Sequence, residues 1–496
     1  MLDKGVINIF KSMRLNDRIS LPFLNENDRM DKDSKLIIAL LTAVLMGAVD
    51  STIVILALPT ITVQLNAPLS VSIWIIMIYL LVIAVGTTQL GRLGDLLTRK
   101  KMFNTGIALF TIGSALCGAS ASIFELIAFR VLQGSGAAMI QANSGAIVAD
   151  NFPPNKRGRV FGYTSVGYNS GAMIGIILGG VITTFIGWRY IFYINVPIGA
   201  FALYYALKYV KRGSPIANKL DLPGALSLGG ALILISYAAT DISLHGVDLF
   251  NEILIVLGVA TIFLFLYIEN RVKNPLLPKK IFHIRILSFS IMASFFQSLG
   301  FLAVVFIIIM YLQGIRGLTP FYSSLLLLPG YVVGSVLGPV FGRLTDRIGS
   351  RIPATLGLSI MAVSVLVYIT LTVVSPLYVI LVASFFTGTG SSMFFPANNS
   401  AVMANSPREF YGMTSGFLRT MSNIGMLGSF VLAISVASLS VPRSVAFEVF
   451  AGIGKLLGNV TTEFMAGVHA ALYVSLIILI IAAFLSFVRG SEHRSE

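Results

Sequence analysis

The amino-acid sequence predicts an all-α membrane protein, and three observations lead to that class. Apolar residues make up 56% of the 496 residues, whereas Asp, Glu, Lys and Arg together make up 11%. A soluble domain carries about 25% charged residues, so the composition excludes a chain of several soluble domains. The apolar residues form long stretches, and most of the basic residues lie in alternate connections between those stretches.

Fourteen apolar stretches are long enough to cross a membrane. A helix needs about 20 apolar residues to span a hydrocarbon core about 30 Å thick. Because the residues before the first stretch are polar and charged, we expect no cleavable signal peptide. The fourteen stretches are 36–58, 69–90, 102–121, 123–149, 160–183, 190–210, 223–241, 252–269, 287–312, 322–341, 352–374, 376–404, 412–438 and 468–488.

The basic residues predict the orientation of the chain. If the N-terminus is inside, 29 of the 35 Lys and Arg residues fall in cytoplasmic segments and 4 in outer loops, as the positive-inside rule requires. We therefore expect a multi-pass protein of the plasma membrane with both termini in the cytoplasm. Topology then explains the net charge of +14 without a nucleic-acid partner. The other two basic residues, Arg130 and Arg419, are expected to be buried within apolar helices.

An internal repeat divides the chain. The segment 91–95 reads Gly-Arg-Leu-Gly-Asp, and 342–346, 251 residues later, reads Gly-Arg-Leu-Thr-Asp. Two glycines, Gly134 and Gly158, recur 254 residues later. Helices 1–6 therefore match helices 9–14, and helices 7–8 are an insert, which gives a 6 + 2 + 6 layout. Parallel repeats of this kind are typical of transporters, with the substrate site between the halves.

The layout predicts the domain boundaries. We expect a six-helix bundle in each half, separated by the two-helix insert and bounded by short polar ends. The predicted units are a cytoplasmic segment 1–35, a first bundle 36–212, the insert with its flanking loops 213–286, a second bundle 287–488 with an outer loop 439–467, and a cytoplasmic tail 489–496.

Six motifs give the chain a family resemblance that extends over about residues 36–488. One motif is the segment at 91–101, and the other five are Asp50-Ser-Thr-Ile-Val-Ile-Leu-Ala-Leu-Pro59, Arg130-Val-Leu-Gln-Gly-Ser-Gly136, Trp188-Arg-Tyr-Ile-Phe-Tyr-Ile-Asn-Val-Pro197, Asp221-Leu-Pro-Gly224, and Tyr311-Leu-Gln313 with Leu328-Pro329. The segment at 91–101 resembles the signature loop of the major facilitator superfamily. The other five motifs resemble the 14-helix drug:proton antiporter branch of that superfamily.

The resemblance implies a major facilitator fold and proton-driven export of small amphipathic or drug-like compounds. It implies protons, a small-molecule substrate and the lipid bilayer as partners, with the proton gradient as energy source and no cofactor or nucleotide. Three alternatives stay open: transport of a specific metabolite such as an amino acid or organic anion, uniport or import by the same fold, and a membrane receptor or enzyme scaffold.

Asp50 and Arg130 are the candidate proton-coupling residues. Asp50 lies about 21 Å from the inner face at about 1.5 Å per residue, and Arg130 lies at about the same depth. An ionisable residue within a membrane span is costly, which favours a functional role. A static ion pair that fixes helix packing is the alternative. The resemblance assigns coupling to Asp50 and proton transfer to Arg130.

The fourth helix carries further polar residues on the face of Arg130. Gln133, Ala137, Gln141 and Ser144 follow Arg130 at spacings of 3, 4, 4 and 3 residues, which keeps them on one side of a helix. A polar stripe in a membrane helix faces protein or water. We expect these four residues to line a substrate cavity, and hydrogen bonding between helices is the alternative.

The segment 91–101 is expected to act as a conformational latch. Gly91 and Gly94 would allow tight turns in a short loop. Asp95 can lie against a helix N-terminus or a basic partner, and Arg99 and Lys100 can pair with acidic groups or anionic lipid. Anchoring by the positive-inside rule is the alternative explanation of the basic cluster.

The fifth helix contains small residues suited to close packing. Gly171, Gly175 and Gly179 recur every four residues, and Gly180 follows the last of them, a pattern that lets helices approach closely. The chain departs from the family pattern at three positions: a proline is replaced by Ile176, a basic residue by Leu96 and a glycine by Thr98.

The sequence contains no pattern that indicates an enzyme. Its single cysteine, Cys117, lies within an apolar stretch, so no disulfide within the chain and no cysteine-based metal site is expected. We expect no metal site, no catalytic cluster and no nucleotide-hydrolysing domain. The outer loop 439–467 is expected to form a hairpin or short helix over the outer mouth.

Overall fold

The structure is a computed structural model that describes residues 32–152, 154–211, 213, 215, 221–246, 248–272, 284–406, 411–440 and 459–490. All regular secondary structure among these residues is helical, which confirms the predicted all-α class. Most of the predicted cytoplasmic segment 1–35, of the outer loop 439–467 and of the tail 489–496 lies outside the described residues, as do parts of the loops that flank the insert.

Fourteen helices of 15 residues or more occur among the described residues, and each overlaps one of the predicted stretches. They are α1 (Lys32–Gln64), α2 (Trp74–Leu97), α3 (Arg99–Ala119), α4 (Ile123–Asn151), α5 (Pro154–Phe185), α6 (Asn195–Tyr209), α7 (Leu222–His245), α8 (Leu249–Arg271), α9 (Arg285–Met310), α10 (Pro320–Ile348), α11 (Arg351–Ile369), α12 (Tyr378–Ala404), α13 (Tyr411–Ser440) and α14 (Asn459–Val488).

Twelve apolar helices in the described part of the chain are long enough to cross a membrane. One of these spans is Tyr190–Tyr209, which includes α6 and the residues directly before it. The helices outside this group are α5, whose apolar part Ser170–Phe185 is shorter, and α13. The number of crossings, the 6 + 2 + 6 division and the domain boundaries therefore stay predictions.

Local signals in the sequence explain where several helices begin. The Ser122 hydroxyl accepts a hydrogen bond from the Glu125 backbone N–H at 3.2 Å, and the Asp248 carboxylate accepts one from the Asn251 N–H at 2.8 Å. Such side chains cap the free N–H groups of the first turn. Helix α10 begins with Pro320, which has no N–H to satisfy.

The two sets of six helices pack in the same way. Helix α1 packs along α5 and α6, while α4 packs along α2 and α3, and α3 also contacts α6. Helix α9 likewise packs along α13 and α14, while α12 packs along α10 and α11, and α11 contacts α14. These contacts follow the pairing of helices 1–6 with helices 9–14 that the sequence repeat predicts.

The halves meet along two further pairs of helices. Helix α2 of the first set packs on α13 of the second, and α5 packs on α10. Helices α7 and α8 pack on each other, and α7 also contacts α13 and α2. The insert therefore lies beside one of the two seams between the halves.

Candidate functional site

The centre of the first half contains a buried ion pair. Asp50 on α1 and Arg130 on α4 are 0% and 1% exposed, and the Arg130 Nη1 donates to the Asp50 Oδ2 at 2.6 Å. The packing of α1 and α4 around one point thus joins the two ionisable residues that the sequence placed at equal depth. The role of the pair in proton coupling stays a prediction.

Uncharged polar groups complete the coordination of the carboxylate. The Gln133 Nε2 donates to the Asp50 Oδ1 at 2.8 Å and to the Ser114 Oγ at 2.7 Å, while the Gln133 Oε1 accepts from Arg130 at 2.7 Å. Asn195 adds a longer contact to the Asp50 Oδ1 at 3.4 Å. Ser114 and Asn195 were not among the predicted site residues, because an uncharged polar residue in an apolar stretch gives little signal.

The Arg130 guanidinium is held from two more directions. Its Nε donates to the Ile75 carbonyl oxygen at 2.9 Å, and its central carbon lies 4.0 Å from the centre of the Tyr79 ring. A cation over an aromatic face is stabilised electrostatically. These contacts compensate part of the cost of removing an arginine from water, and they keep its remaining donors directed at Asp50.

Glycines of α5 bring that helix against the segment of α1 that carries the carboxylate. A Cβ atom at Gly171 would lie 2.9 Å from the Leu45 carbonyl oxygen, and one at Gly175 would lie 2.6 Å from the Val49 carbonyl oxygen. Both distances are too short for a side chain. The two glycines therefore allow backbone contact directly before Asp50.

The next two glycines of α5 face different helices. A Cβ at Gly179 would lie 3.1 Å from the Ile53 carbonyl oxygen of α1, whereas one at Gly180 would collide with Ser324 of α10. Ile176, which stands where the family pattern has proline, is fully buried. The small residues of α5 thus serve two contacts, one within the first half and one between the halves.

The polar face of α4 extends from the ion pair towards the second half. Gln133 is fully buried and bonds to both members of the ion pair. Ala137 is buried as well, whereas Gln141 and Ser144 are half-buried. The Gln141 Oε1 accepts a hydrogen bond from the Asn423 Nδ2 of α13 at 2.9 Å. The role of these residues in lining a cavity stays a prediction.

Arg419 was expected to be buried, and that expectation is wrong. Its side chain is exposed on α13, and its guanidinium carbon lies 5.8 Å from the centre of the Tyr168 ring on α5. Hydropathy predicts how deep a residue lies along a helix, but it does not tell whether the residue faces packed protein or open space.

The segment 91–101 is not a loop, which corrects another expectation. Helices α2 and α3 are separated by Thr98 alone, which has a φ of 102°. Gly91 and Gly94 lie within α2 and make no tight turn. A Cβ at Gly94 would collide with the Asn143 side chain of α4, so this glycine provides room for a neighbouring helix.

The charged residues of this connection form a small network. Arg99 bonds to Asp95 at 3.0 Å and to Asp150 at the end of α4 at 2.6 Å. The Lys100 Nζ donates to the Leu207 carbonyl oxygen at 2.8 Å. The network joins α2, α3, α4 and α6 at one end of the first half, and its action as a latch stays a prediction.

Three ionisable residues near the insert are buried although the sequence did not single them out as buried. Arg92, Asp221 and Glu269 are 7%, 1% and 5% exposed, and Arg92 lies within electrostatic range of both acids. The side chain of Gln89 bonds to both the backbone oxygen and the backbone N–H of Asp221. All three residues lie at or near helix ends, where a charge is usually counted as solvated.

Arg489 is a further buried cation, at the end of α14. Its guanidinium donates to the Ser350 Oγ at 2.7 Å, the Asn398 Oδ1 at 3.2 Å and the Ser290 Oγ at 3.3 Å. Its position in the predicted cytoplasmic tail made Arg489 one of the 29 basic residues expected to mark the inner side. In the described part of the chain, no three His, Cys, Asp or Glu side chains lie close enough to hold a metal ion.

Two relatives resemble most of the chain. The riboflavin transporter of Clostridioides difficile (strain 630) is 27% identical over 424 residues, which is 83% of this chain and 89% of the relative. The tetracenomycin C resistance and export protein of Streptomyces glaucescens is 30% identical over 406 residues, which is 81% of this chain and 76% of the relative.

The fold has counterparts among solved structures, and a family profile matches the sequence. The crystal structure of a human organic anion transporter aligns with a TM-score of 0.64 and 13% sequence identity, over 92% of this chain and 100% of that one. The profile of the Major Facilitator Superfamily matches residues 40–429, a span that includes Asp50, Arg130 and the connection at Thr98. The chain therefore belongs to the Major Facilitator Superfamily, a family of multi-pass membrane transporters of small molecules.

Proposed function

We propose that this chain is a proton-coupled antiporter that exports small amphipathic compounds across the plasma membrane. The observation that carries the proposal is the fully buried Asp50 carboxylate, which contacts Arg130 and Gln133 in the centre of the first half. A buried acid in a membrane transporter is expensive to maintain and is a common element of proton relays.

The surroundings of Asp50 suit a group that changes its protonation state. As a carboxylate, Asp50 accepts hydrogen bonds from Arg130 and Gln133. As a neutral acid it would lose most of its attraction to the guanidinium, and its new O–H could donate to an amide oxygen. Because the Gln133 amide has both donors and an acceptor, it can keep a hydrogen bond to either form. Protonation would thus release Arg130 without leaving Asp50 unpaired.

Hydrogen bonds between the halves occur on both sides of the ion pair. Towards the predicted outer side, the Gln313 amide donates to the Leu56 carbonyl oxygen at 3.3 Å, and the Phe321 N–H donates to the Thr184 hydroxyl at 3.2 Å. Towards the predicted inner side, Thr88 bonds to Thr420 at 2.9 Å. Each such bond is worth about 1 kcal/mol, so these hydrogen bonds add little to the cost of opening either side, and alternating access requires that each side can open.

The relatives support transport of organic compounds, and one of them supports export. One is named for resistance to and export of tetracenomycin C, and the other for riboflavin transport. The second name favours an alternative, in which the chain transports one specific metabolite. Uniport or import of such a metabolite belongs to the same alternative.

The proposal is tested in proteoliposomes with an acidic lumen. Uptake of tetracenomycin C or riboflavin is measured with and without the pH gradient for the unaltered protein, Asp50→Asn and the matched control Asp241→Asn. Asp241 lies in the insert, where its carboxylate accepts from the Asn251 Nδ2 at 2.9 Å. We expect Asp50→Asn to lose the gradient-driven uptake and Asp241→Asn to keep it. Gradient-driven uptake at the unaltered level in Asp50→Asn would refute the coupling role.

Counterflow separates the two functions. Vesicles are loaded with unlabelled riboflavin or tetracenomycin C, and the entry of the labelled compound is followed with no pH gradient. A multidrug exporter should exchange both compounds and show competition between them. A transporter of one metabolite should exchange one compound and ignore the other.

A further inference from the structure

Arg419 is a cation that forms no ion pair with the residues that the structure describes. It lies 8 residues after the start of α13, about 12 Å along the helix, and its side chain is exposed. Among the residues that the structure describes, Arg419 forms no hydrogen bond or ion pair, and its recorded contact is with the Tyr168 ring at 5.8 Å. The buried cation Arg130, by contrast, is paired with the Asp50 carboxylate, so the two charges balance each other.

The neighbours of Arg419 on α13 fix the direction in which it points. Thr420 bonds to Thr88 of α2 at 2.9 Å, and Ser422 bonds to Ser294 of α9 at 3.1 Å. On a helix with about 3.6 residues per turn, the direction of Arg419 lies between those of Thr420 and Ser422. Arg419 therefore points towards the first half, between α2 and α9, rather than towards lipid.

Two further contacts support the same direction. Asn423, one turn after Arg419, bonds to Gln141 of α4 at 2.9 Å, and Tyr168 lies on α5 of the first half. Arg419 thus lies between the two halves, which is where a transporter of parallel repeats binds its substrate.

The Tyr168 ring lies beside this cation, and two further tyrosines lie near Tyr168. Tyr331 of α10 lies within electrostatic range of Tyr168, and so does Tyr79, whose ring stacks on Arg130. One ring therefore contacts Arg419 and another contacts Arg130. A planar aromatic compound can stack on such rings, while a guanidinium binds a carboxylate or sulfonate through paired hydrogen bonds.

We propose that Arg419 and Tyr168 form the anionic subsite of the substrate cavity, so that the preferred substrates combine an aromatic ring with one negative charge. The inference rests on the proposed transport function and names its substrate class. Because the described residues leave the charge of Arg419 without an ion pair, that charge attracts anions into the space between the halves. An aromatic anion satisfies the guanidinium and the neighbouring rings together.

The test compares two probes that differ only in charge. Binding of 2-naphthoate and of the neutral 2-naphthamide is measured by titration calorimetry on the purified protein in an uncharged detergent, free of anionic lipid. We expect the unaltered protein to bind the carboxylate at least tenfold more tightly than the amide. Equal affinities for the two probes would overturn the proposal.

Variants assign the preference to the subsite. Arg419→Gln should reduce the ratio of the two affinities to about one and leave the naphthamide affinity unchanged, whereas Arg419→Lys should keep part of the preference. Arg285→Gln is the control, because Arg285 is also on the second half but bonds to the Val488 carbonyl oxygen outside this space. An unchanged ratio in Arg419→Gln would refute the assignment. An exposed side chain can be replaced without unfolding the helix, and an unchanged melting temperature verifies this.

The binding test is independent of proton coupling. No pH gradient is present in the titration, so a loss of coupling in Asp50→Asn and a loss of charge preference in Arg419→Gln are separate results. If the charge preference is absent but Asp50→Asn abolishes gradient-driven uptake, the proposed function stands and the substrate class is wrong. If the charge preference depends on Arg419 but Asp50→Asn keeps gradient-driven uptake, the anionic subsite stands and the proposed proton coupling is wrong.

Discussion

The two halves of the molecule pack their helices in the same pattern but fill the centre of that pattern differently. In the first half, α2 and α4 hold a guanidinium and an aromatic ring between them. Counting 254 residues from Arg130 leads to Ser384 on α12, and counting 251 residues from Tyr79 leads to Gly330 on α10. The Ser384 hydroxyl donates to the Leu327 carbonyl oxygen at 2.8 Å, much as Arg130 reaches a carbonyl oxygen of α2.

The difference indicates that one architecture can hold a buried charged pair in one half and close backbone contacts in the other. The charged pair of the first half is the one that we propose to respond to a proton. The second half has small neutral residues at the matching positions, so its helices touch through their backbones. The predictions below test this contrast, beginning with the largest expected effect.

Removing Arg130 should be far more damaging than removing its counterpart Ser384. Arg130→Met leaves the Asp50 carboxylate buried and without its charged partner, which costs about 3–5 kcal/mol of unfolding free energy. Ser384→Ala removes a neutral hydroxyl and costs about 1–3 kcal/mol. Thermal unfolding in detergent measures both losses.

A double variant serves as the control for this prediction. Asp50→Asn combined with Arg130→Met removes both charges and should recover part of the stability that Arg130→Met loses. If the double variant is no more stable than Arg130→Met, the loss does not come from an unpaired carboxylate. Equal losses in Arg130→Met and Ser384→Ala would contradict the contrast between the halves.

A methyl group should be tolerated better between α2 and α4 than between α10 and α12. A Cβ at Gly134 would lie 3.2 Å from the Tyr79 carbonyl oxygen, whereas one at its counterpart Gly388 would lie 2.6 Å from the Gly330 carbonyl carbon. Overpacking costs about 1–3 kcal/mol, and we expect Gly388→Ala to lie at the upper end and Gly134→Ala below it. Equal melting temperatures for the two variants would show that the second half is not packed more tightly.

The connection at Thr98 offers a smaller test of the repeat. Gly349 lies 251 residues after Thr98 and also has a positive φ, 85° against 102°. A residue other than glycine in such a conformation costs about 1–3 kcal/mol. We therefore expect Thr98→Gly to raise the unfolding free energy by about 1 kcal/mol, although the hydroxyl that caps Lys101 is lost, because glycine replaces such a cap at little cost.

The matched substitution in the second half should have the opposite sign. Gly349→Ala introduces the strain that Thr98 already bears and should lower the unfolding free energy by about 1 kcal/mol or more. Both values come from urea or thermal unfolding in the same detergent. A destabilising Thr98→Gly would show that the threonine side chain contributes more than its backbone strain costs.

The helices and the ion pair were predictable from the sequence, and the physical reason is the membrane. Long apolar stretches must form helices in lipid because the backbone has no other partners. Asp50 and Arg130 were identified because charge deep within such a stretch is rare. Both signals are read along the chain and need no knowledge of neighbouring helices.

The remaining features depend on how the helices face one another. The exposure of Arg419 and the burial of Arg489 could not be predicted, since hydropathy has no information on which side of a helix is open. The single-residue turn at Thr98 was mistaken for a longer loop because two glycines, Gly91 and Gly94, suggested turns. Gly94 in fact makes room for Asn143, which is a contact between helices that only the fold reveals.

The smallest expected effect concerns Arg99 at the end of the first half. Its side chain and those of Asp95 and Asp150 are 21–35% exposed, and such ion pairs contribute about 1 kcal/mol or less. The residue that corresponds to Arg99 in the second half, 251 positions later, is Ser350. The buried Arg489 donates a hydrogen bond to the Ser350 hydroxyl. Arg99→Gln should therefore barely change the unfolding temperature, whereas Arg489→Gln should lower it clearly.

A transport assay tests the latch separately. If the network of Arg99 is a latch, Arg99→Gln should change the rate of counterflow while the unfolding temperature stays the same. If Arg99→Gln lowers the unfolding temperature as much as Arg489→Gln does, the network has a structural role. If Arg99→Gln changes neither the unfolding temperature nor the counterflow rate, the basic residues of the network only anchor the chain by the positive-inside rule.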